Sequence, residues 1–304
     1  MIDINIRNET SGLKAVVLGI ADSIGPIPTL EEAYDPKSKE HIKKGTFPLE
    51  EELIEEITGF LTVLKKHNVQ VYRPQKLPNV NQVFSRDIGF VIDEKFIIPN
   101  ILRERKEEMK GVQYIVDLIE PENVIETNED VRLEGGDVMP WNDCIFVGYS
   151  EPEDFDKYKV ARTNVEGVEF LEKNFPSKKV YSFELKKSDD NAKENALHLD
   201  CCFQPIGKNQ AIIYKGGFKN EEDFHFLVNY FGKNNVIEIS QEEMYDMNSN
   251  IFSISPTVVV SEKNFHRLNA ILREKGFTVE EIDYSETAKM EGLLRCSTMP
   301  LIRE

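Results

Sequence analysis

Residues 197–239 read LHLDCCFQPIGKNQAIIYKGGFKNEEDFHFLVNYFGKNNVIEI, and this stretch decides the fold. Its apolar pattern predicts two short strands, Leu197–Pro205 and Gln210–Tyr214. An amphipathic helix is predicted near Glu221–Phe231, and the apolar run Val236–Ile239 predicts a third strand. The stretch is therefore one unit of strand, strand, helix and strand (ββαβ).

The same order of elements recurs on both sides of this unit. Three further continuous units show the same order of strand, strand, helix and strand. Their predicted segments are Asp87–Ile92, Lys95–Pro99, Arg103–Ile119 and Asn123–Glu126; Gly136–Pro140, Cys144–Gly148, Asn164–Asn174 and Lys179–Phe183; and Ile251–Ser255, Thr257–Ser261, Glu262–Lys275 and Thr278–Ile282. A fifth unit is split between the two ends of the chain, with strand Leu13–Ile20, helix Leu49–Lys66, strand Val69–Arg73 and a last strand within Leu293–Ile302.

Repetition at about 50 residues is typical of a repeat architecture. Pairing the two ends of the chain closes a ring and removes exposed sheet edges. The sequence therefore predicts an α/β fold: a pseudo-symmetric five-unit ββαβ α/β-propeller that forms a single catalytic domain over residues 1–304. An open α/β sandwich is the alternative.

Residues 25–48 (GPIPTLEEAYDPKSKEHIKKGTFP) do not fit the repeat. The segment has Pro and Gly at both ends and charged residues in its middle, and it is long for a connection between elements. We expect it to be either a lid over a site or a surface excursion.

Composition disfavours several classes of function. Acidic residues outnumber basic ones by 54 to 37, which gives a net charge of −17. Phosphate contacts need clustered Lys and Arg, so neither nucleic acid nor an anionic membrane is expected as a partner. The apolar stretch Leu13–Ile20 is far shorter than the roughly 20 residues of a membrane span. The N-terminus lacks a basic start followed by an apolar run, so a cytoplasmic protein is the simplest expectation.

Four short motifs stand at the same phase of successive units, near the start of each first strand. They are FSRD (Phe84–Asp87), EGGD (Glu134–Asp137), HLD (His198–Asp200) and RCST (Arg295–Thr298). Equivalent positions of a radial fold converge on its axis. We therefore expect the four motifs to meet in one pocket.

The residues in these motifs suit covalent chemistry on a planar cation. Cys296 would be the nucleophile, because a thiolate beside an imidazolium is reactive. His198 would favour that thiolate and protonate a departing amine, and Glu134 would orient the imidazole. Asp87 and Asp200 would repel the thiolate unless a planar cation lay between them. Guanidinium, with five N–H donors in a rigid fork, is such a cation.

Each residue also has a structural interpretation. Alone, His198 is typical of a satisfied buried histidine and Cys296 of a small core residue. A metal site at His198, Asp200 and Cys201 is disfavoured, because strand alternation would send Cys201 to the opposite face and no further ligand cluster is visible. We therefore expect neither a metal nor a cofactor.

Together the motifs resemble those of the guanidino-group-modifying enzyme superfamily, which includes arginine deiminases, dimethylarginine dimethylaminohydrolases and amidinotransferases. The resemblance runs from about Leu77 to Arg303 and is carried by PNVNQVFSRD, EGGDVMP, ARTN, NALHLDCCFQ and RCSTMPLIR. It implies the pentein fold, which is the five-unit α/β-propeller. It also implies that Cys296 attacks the guanidinium carbon to give a covalent S-alkylthiouronium, and that water activated by His198 releases the product.

The resemblance further implies which residues bind the substrate. Asp87 and Asp200 match the aspartates that grip the guanidinium nitrogens. Asn81, Arg105 and Arg162 match positions that bind the substrate carboxylate in the arginine deiminase pattern. For Arg162 the match requires an insertion near residues 152–160.

Departures from the family patterns favour one reaction and leave others open. HLD is typical of deiminases, and EGGD stands where amidinotransferases usually show an FDAADF-type motif. The expected reaction is therefore conversion of L-arginine and water to L-citrulline and ammonia.

However, the helical insertion usual in deiminases is absent, and MEGLL before Cys296 differs from their glycine-rich loop. The alternatives are a dimethylarginine dimethylaminohydrolase, an arginine dihydrolase, an amidinotransferase and a non-catalytic guanidine-binding protein. The expected partner is a small guanidino compound, and a homodimer through outer helices stays open.

Overall fold

A computed structural model describes residues 1–304, and its strands form five separate sheets. The strands are β1 (Leu13–Leu18), β2 (Gln70–Tyr72), β3 (Phe90–Ile92), β4 (Lys95–Ile98), β5 (Val124–Glu126), β6 (Val138–Trp141), β7 (Cys144–Tyr149), β8 (Lys179–Glu184), β9 (Phe203–Ile206), β10 (Gln210–Ile213), β11 (Val236–Glu238), β12 (Phe252–Ser255), β13 (Val258–Glu262), β14 (Thr278–Ile282) and β15 (Thr298–Arg303).

Nine α-helices connect or flank the strands. They are α1 (Pro36–Lys44), α2 (Glu50–Lys66), α3 (Met109–Val116), α4 (Pro152–Lys157), α5 (Val165–Asn174), α6 (Glu221–Phe231), α7 (Gln241–Tyr245), α8 (His266–Glu274) and α9 (Ser285–Ala288). None of these helices is both long and apolar enough to cross a membrane.

Each sheet has three strands in the same internal order. The orders are β15-β1-β2, β3-β4-β5, β6-β7-β8, β9-β10-β11 and β12-β13-β14. The central strand is antiparallel to the first strand and parallel to the third. A parallel pair needs a crossover, and the helices α2, α3, α5, α6 and α8 supply one to each sheet. The predicted α/β class is confirmed.

The two ends of the chain share one sheet, as predicted. Strand β1 pairs antiparallel with β15, with Val17 opposite Met299, and parallel with β2, with Val16 opposite Val71. The sheet places Cys296 two residues before the start of β15. The pairing of distant segments therefore brings the candidate nucleophile next to the first strand of the chain.

Helix α2 covers the core beside that sheet. Its apolar residues Leu53, Ile57, Phe60 and Leu64 recur every three or four positions and are buried. The Phe60 ring meets Phe252 edge to face at 5.7 Å between centroids. Burial of one such side chain contributes about 1.5–3 kcal/mol. The same core cluster includes two leucines directly before Arg295, at positions 293 and 294, so it also holds the backbone that leads to the candidate nucleophile.

The first strands of four units begin later than predicted, by one residue for β12 and by two to six residues for β3, β6 and β9. The prediction of a strand from Leu197 is wrong for its first part, because Leu199–Cys201 form a 3₁₀ turn and β9 begins at Phe203. Similarly, Gly135–Asp137 form a 3₁₀ turn before β6. The two turns are linked, since the Leu199 N–H donates to Asp137 Oδ1 at 2.9 Å. Because Cys201 lies in this turn and not in a strand, strand alternation does not determine where its side chain points. The argument from alternation against a metal site at Cys201 was therefore wrong.

Candidate active site

The motif residues stand in turns just before the first strands, and these turns meet. Asp87 precedes β3, Glu134 precedes β6, His198 precedes β9 and Cys296 precedes β15. All four side chains are buried, as is Asp200. The contacts described below join them into one cluster, as the shared phase of the motifs predicted.

The imidazole of His198 lies between two carboxylates. Its Nε2 donates to Glu134 Oε2 at 2.8 Å, and its Nδ1 lies 3.7 Å from Asp87 Oδ1. Burial opposes the imidazolium, but Asp87, Asp137 and Glu134 outweigh burial and raise the pKa of His198. Burial likewise opposes ionisation of Glu134, but Arg162 and His198 hold the pKa of that carboxyl well below its usual range. The pair therefore favours an imidazolium beside a carboxylate.

Gly136 makes room for this arrangement. Its N–H donates to Asp87 Oδ1 at 3.1 Å. A Cβ at this position would lie 2.7 Å from Nδ1 of His198 and 2.8 Å from Asp87 Oδ1, which is closer than real Cβ contacts. The EGGD backbone therefore passes directly beside the His198 ring and the Asp87 carboxylate.

The thiol of Cys296 lies against an aspartate and an asparagine. Its Sγ is 3.5 Å from Asp200 Oδ2 and 3.1 Å from Asn250 Nδ2. The Cys296 N–H donates to Asn250 Oδ1 at 3.1 Å. Burial, followed by the charges of Asp200 and Asp87, raises the pKa of Cys296 well above its usual value. A free thiol is therefore favoured while nothing positive stands between the aspartates.

Sequence reasoning did not identify Asn250, although a signal was present. Asn250 directly precedes the predicted strand Ile251–Ser255, which is the phase at which the four motifs stand in the other units. The fifth unit therefore also contributes a side chain to the site. An asparagine between Ser249 and Ile251 does not by itself suggest chemistry, and it was passed over.

Asp200 is also held by a buried arginine. Arg295 Nη1 donates to Asp200 Oδ2 at 2.8 Å, and its Nε and Nη2 each donate to a Glu9 carboxylate oxygen at 3.1 Å. Arg295 was predicted only as part of RCST, and Glu9 was not identified at all. Glu9 lies in a segment without periodic pattern, so no sequence signal pointed to it.

The three predicted carboxylate-binding residues line the same cavity. Arg105 already has partners: its Nη1 donates to Asp87 Oδ2 at 2.6 Å, and its Nε and Nη2 each donate to Glu108 at 2.8 Å. Arg162 donates from Nη1 to Glu134 and from Nη2 to the Tyr34 carbonyl, each at 3.2 Å.

Two polar groups at this edge of the cavity are still available. The Nε of Arg162 is buried and has no hydrogen-bond partner. The Nδ2 of Asn81 has only a long contact, 3.9 Å, to the sulfur of Met290. Both groups could donate to a substrate.

The cavity has a volume of about 820 Å³. Asp87, His198 and Cys296 line it, together with Glu291, Leu197 and Met290. Much of the rest of its wall comes from residues 24–50, which include most of the segment 25–48. Helix α1 lies within this segment, and Asp35 caps its first turn by accepting from the Ser38 N–H at 2.6 Å.

Asp87, Glu134 and His198 are also a geometric metal cluster, with one ligand atom each within 4.8 Å of one another. The direct contact of 2.8 Å between His198 and Glu134 is the geometry of a hydrogen bond. The cluster thus contains a direct imidazole–carboxylate hydrogen bond.

Comparison with known proteins gives concordant results. The sequence model of a family described as "N,N dimethylarginine dimethylhydrolase, eukaryotic" matches residues 31–303. The uncharacterized protein YkgA of Bacillus subtilis is 31% identical over 242 residues, which cover 79% of this chain and 77% of YkgA. The arginine deiminase of Bacillus cytotoxicus is 27% identical over 273 residues, covering 75% of this chain but only 63% of the deiminase.

A solved structure shares the fold. The N-terminal domain of ArgZ, an arginine dihydrolase from the ornithine-ammonia cycle in cyanobacteria, superposes with a TM-score of 0.78. The two chains are 18% identical, and the match covers 95% of this chain and 98% of the ArgZ domain. At that identity the match shows a common α/β fold.

Proposed function

Because the chain belongs to the N,N dimethylarginine dimethylhydrolase family, within the guanidino-group-modifying (pentein) superfamily, we propose that it hydrolyses a guanidinium C–N bond of arginine or an arginine derivative. One observation carries the proposal: a buried thiol and a buried imidazole–carboxylate pair line one cavity, with Asp87 and Asp200 beside them. Hydrolase chemistry through a covalent intermediate needs this combination of nucleophile, proton carrier and cation-binding groups.

Asp87 and Asp200 are the proposed guanidinium-binding residues. A guanidinium between them would neutralise the two charges that raise the pKa of Cys296, after the effect of burial. Substrate binding would therefore favour the thiolate at the moment when it is needed.

In the first half-reaction the thiolate of Cys296 attacks the guanidinium carbon and forms a C–S bond. His198, as imidazolium, gives its proton to one nitrogen of the tetrahedral species. The C–N bond to that nitrogen breaks, and ammonia or an alkylamine leaves. The enzyme then holds a positively charged S-alkylthiouronium and a neutral His198.

In the second half-reaction the neutral His198 takes a proton from water as the water oxygen attacks the thiouronium carbon. The C–S bond breaks, which returns the Cys296 thiolate and forms the carbonyl of the ureido product. The second proton of the water ends on the released amine. His198 is again an imidazolium, and Glu134 keeps it oriented throughout.

L-Arginine is the first proposed substrate, and the products are L-citrulline and ammonia. The free Nε–H of Arg162 and the Nδ2–H of Asn81 are the donors available for its carboxylate. Arg105 joins them only by releasing one of its present partners. The matched family model favours N-methylated arginine as a second substrate, which would release methylated amine and the same citrulline.

We further propose that the five sheets close into one propeller and form a single catalytic domain. The pairing of β1 with β15 supports closure, because it joins the two ends of the chain in one sheet. The meeting of turns from all five sheets at Cys296 and His198 supports a common axis. On this arrangement residues 25–48 act as a lid on the site.

Product identification by mass spectrometry tests the proposal. Wild type and Cys296→Ser are incubated separately with L-arginine, dimethylarginine, agmatine and citrulline. Citrulline formed only by wild type is expected, and the amine released with it distinguishes deimination from removal of a methylated amine. Cys144→Ser is the matched control, since Cys144 is a buried thiol outside the cavity. Turnover by Cys296→Ser, or no action of wild type on any arginine derivative, contradicts the proposal.

A further inference from the structure

The nucleophile has a neighbour whose role goes beyond packing. Asn250 is fully buried, and its side-chain amide makes three contacts with the catalytic turns. Its Oδ1 accepts the N–H of Cys296 at 3.1 Å, its Nδ2 donates to Sγ of Cys296 at 3.1 Å, and the same Nδ2 lies 3.4 Å from the Asp200 carbonyl oxygen. In addition, the Arg295 N–H donates to the backbone carbonyl of Asn250 at 3.1 Å.

These contacts fix which atom of the amide faces the sulfur. The Cys296 N–H can only donate, so the amide atom opposite it must be the oxygen. The Nδ2–H group is then the part of Asn250 that faces Sγ and the Asp200 carbonyl. A flipped amide would place a donor against a donor and an acceptor against an acceptor.

A donor at this position matters because the sulfur has an unfavourable setting for a negative charge. Asp200 Oδ2 lies 3.5 Å from Sγ, and the sulfur is buried. A hydrogen bond to the charged form of a group stabilises that form, and it does so most where water is excluded.

We propose that Asn250 is a further catalytic residue, whose Nδ2–H stabilises the Cys296 thiolate while its Oδ1 holds the peptide of the nucleophile. The inference rests on the proposed function for the use of that thiolate. Asn250 lies in the turn before β12, and turns at the same place in the other four sheets carry the other site residues. Each sheet then contributes one functional group to the site: Asp87, Glu134, His198, Asn250 and Cys296.

The reactivity of the thiol tests the inference without any turnover. The rate at which iodoacetamide alkylates Cys296 is measured by mass spectrometry at several pH values between 7 and 9. Losing one hydrogen bond to a charged group in Asn250→Ala lowers the thiolate population, while the higher basicity of the remaining thiolate offsets about half of that loss. We therefore expect alkylation to slow about three- to twentyfold. Added space beside the sulfur would by itself speed the reaction or leave it unchanged.

Two matched variants separate this role from loosening of the turn. Ser297→Ala removes the hydrogen bond from Ser297 Oγ to the Leu293 carbonyl, in the same turn, without touching Sγ. Ser249→Ala removes a contact of 2.9 Å to the Asp200 carbonyl from the residue next to Asn250. Both should alkylate at the wild-type rate.

If Asn250→Ala does not fold, Asn250→Ser keeps a polar group in the site but is too short to reach Sγ, and it should slow alkylation in the same range. Wild-type alkylation in a folded Asn250 variant, or equal slowing in Ser297→Ala, overturns the inference. Neither result touches the proposed function, which fails instead if Cys296→Ser retains turnover.

Discussion

Gly136 shows how closely the site is built around His198. A methyl group on its Cα would lie 2.7 Å from the imidazole Nδ1 and 2.8 Å from Asp87 Oδ1, and both of these side chains are buried. Since the φ of Gly136 is not positive, the requirement for glycine comes from this contact alone.

Gly136→Ala should therefore displace the His198 ring while the fold is kept. A misplacement of about 1 Å in a catalytic group costs about a hundredfold in rate, so kcat should fall by that order. Gly59→Ala is the matched control, because nothing lies within 4 Å of a Cβ there, and it should leave kcat unchanged. Steady-state kinetics of both variants and wild type check the prediction. Wild-type kcat in Gly136→Ala would show that the ring is free to move.

Glu134→Gln should change the pH dependence of turnover. Burial lowers the pKa of His198, but Asp87, Asp137 and Glu134 together raise it above its ordinary value. Removing the negative charge of Glu134 should therefore lower the pKa of His198. The acid role needs the imidazolium, so activity on the alkaline side should be lost at lower pH than in wild type. A general acid contributes about 10²–10⁴-fold, and the loss at pH 8 should approach that range. A kcat profile from pH 5 to 10 measures this, and an unshifted alkaline limb would assign the acid role elsewhere.

The candidate residues could be predicted from the sequence where their types are unusual at a repeated phase. Asp87, Glu134, His198 and Cys296 were found in this way. Their partners could not be found, because what distinguishes them is three-dimensional proximity. Arg105 binds Asp87 and Glu108 in the structure, although the resemblance implied a substrate carboxylate.

At the scale of elements, helix α9 depends on a carboxylate from helix α2. The short helix α9 has no side-chain cap of its own, and Glu56 of α2 replaces it. Glu56 Oε1 accepts the N–H of Glu286, and Glu56 Oε2 accepts the N–H and the hydroxyl of Thr287, all at 2.8 Å. This contact fixes the start of the chain segment that leads through α9 to the turn of Cys296.

Glu56→Ala should destabilise the protein by about 2–4 kcal/mol, because it leaves buried N–H groups without a partner. Glu56→Gln keeps one carbonyl oxygen and should cost less. Glu55→Ala, on the exposed side of the same helix, should stay within about 0.5 kcal/mol of wild type. Urea unfolding of the three variants gives the free energies. Equal stability of Glu55→Ala and Glu56→Ala would mean that α9 does not depend on α2.

The order of elements was predictable because each unit combines period-two and period-3.6 patterns, but some of the element boundaries were not. Helix α8 begins at His266, four residues after the predicted start at Glu262. Strand β13 extends through Glu262, where it pairs with Ile282 of β14. Long-range pairing thus overrides the local helical signal.

At the scale of the whole molecule, the first residues of the chain tie three sheets together. Asn5 bridges to Ile302 in β15, Ile6 to Asp93 between β3 and β4, and Asn8 to Trp141 in β6. These are single bridges without a periodic pattern, which is why the sequence did not predict them. They carry Glu9 into the interior, where it meets Arg295.

Arg295 in turn joins distant parts of the chain. It donates to Glu9, to Asp200 and to the carbonyls of Gly136 and Val138, at 3.3 and 2.9 Å for the carbonyls. The segments that hold Cys296, Asp200 and the EGGD turn therefore share one buried cation.

Glu9→Gln should test how far the fold relies on this centre. Removing one partner of a buried ion pair costs about 3–5 kcal/mol, and we expect that loss of unfolding free energy at pH 7. Burial opposes ionisation of Glu9, but Arg295 and Arg86 lower its pKa below the ordinary value of 4.5. A lowered pKa gives stability that is present above the unfolded-state pKa and is lost as pH falls through the folded-state pKa. Wild type should therefore lose more stability than Glu9→Gln on acidification below pH 4.5.

Denaturant unfolding at pH 7, 5, 4 and 3 measures both effects. Glu281→Gln is the matched control, because Glu281 pairs with Arg273 at 2.8 Å on the exposed surface and should contribute no more than about 1 kcal/mol. If the unfolding free energies of wild type and Glu9→Gln depend on pH in parallel, Asp200 alone balances the charge of Arg295 and the ionised Glu9 is not needed. If the ionised Glu9 stabilises the fold through Arg295, the unfolding free energies of the two proteins must converge at low pH.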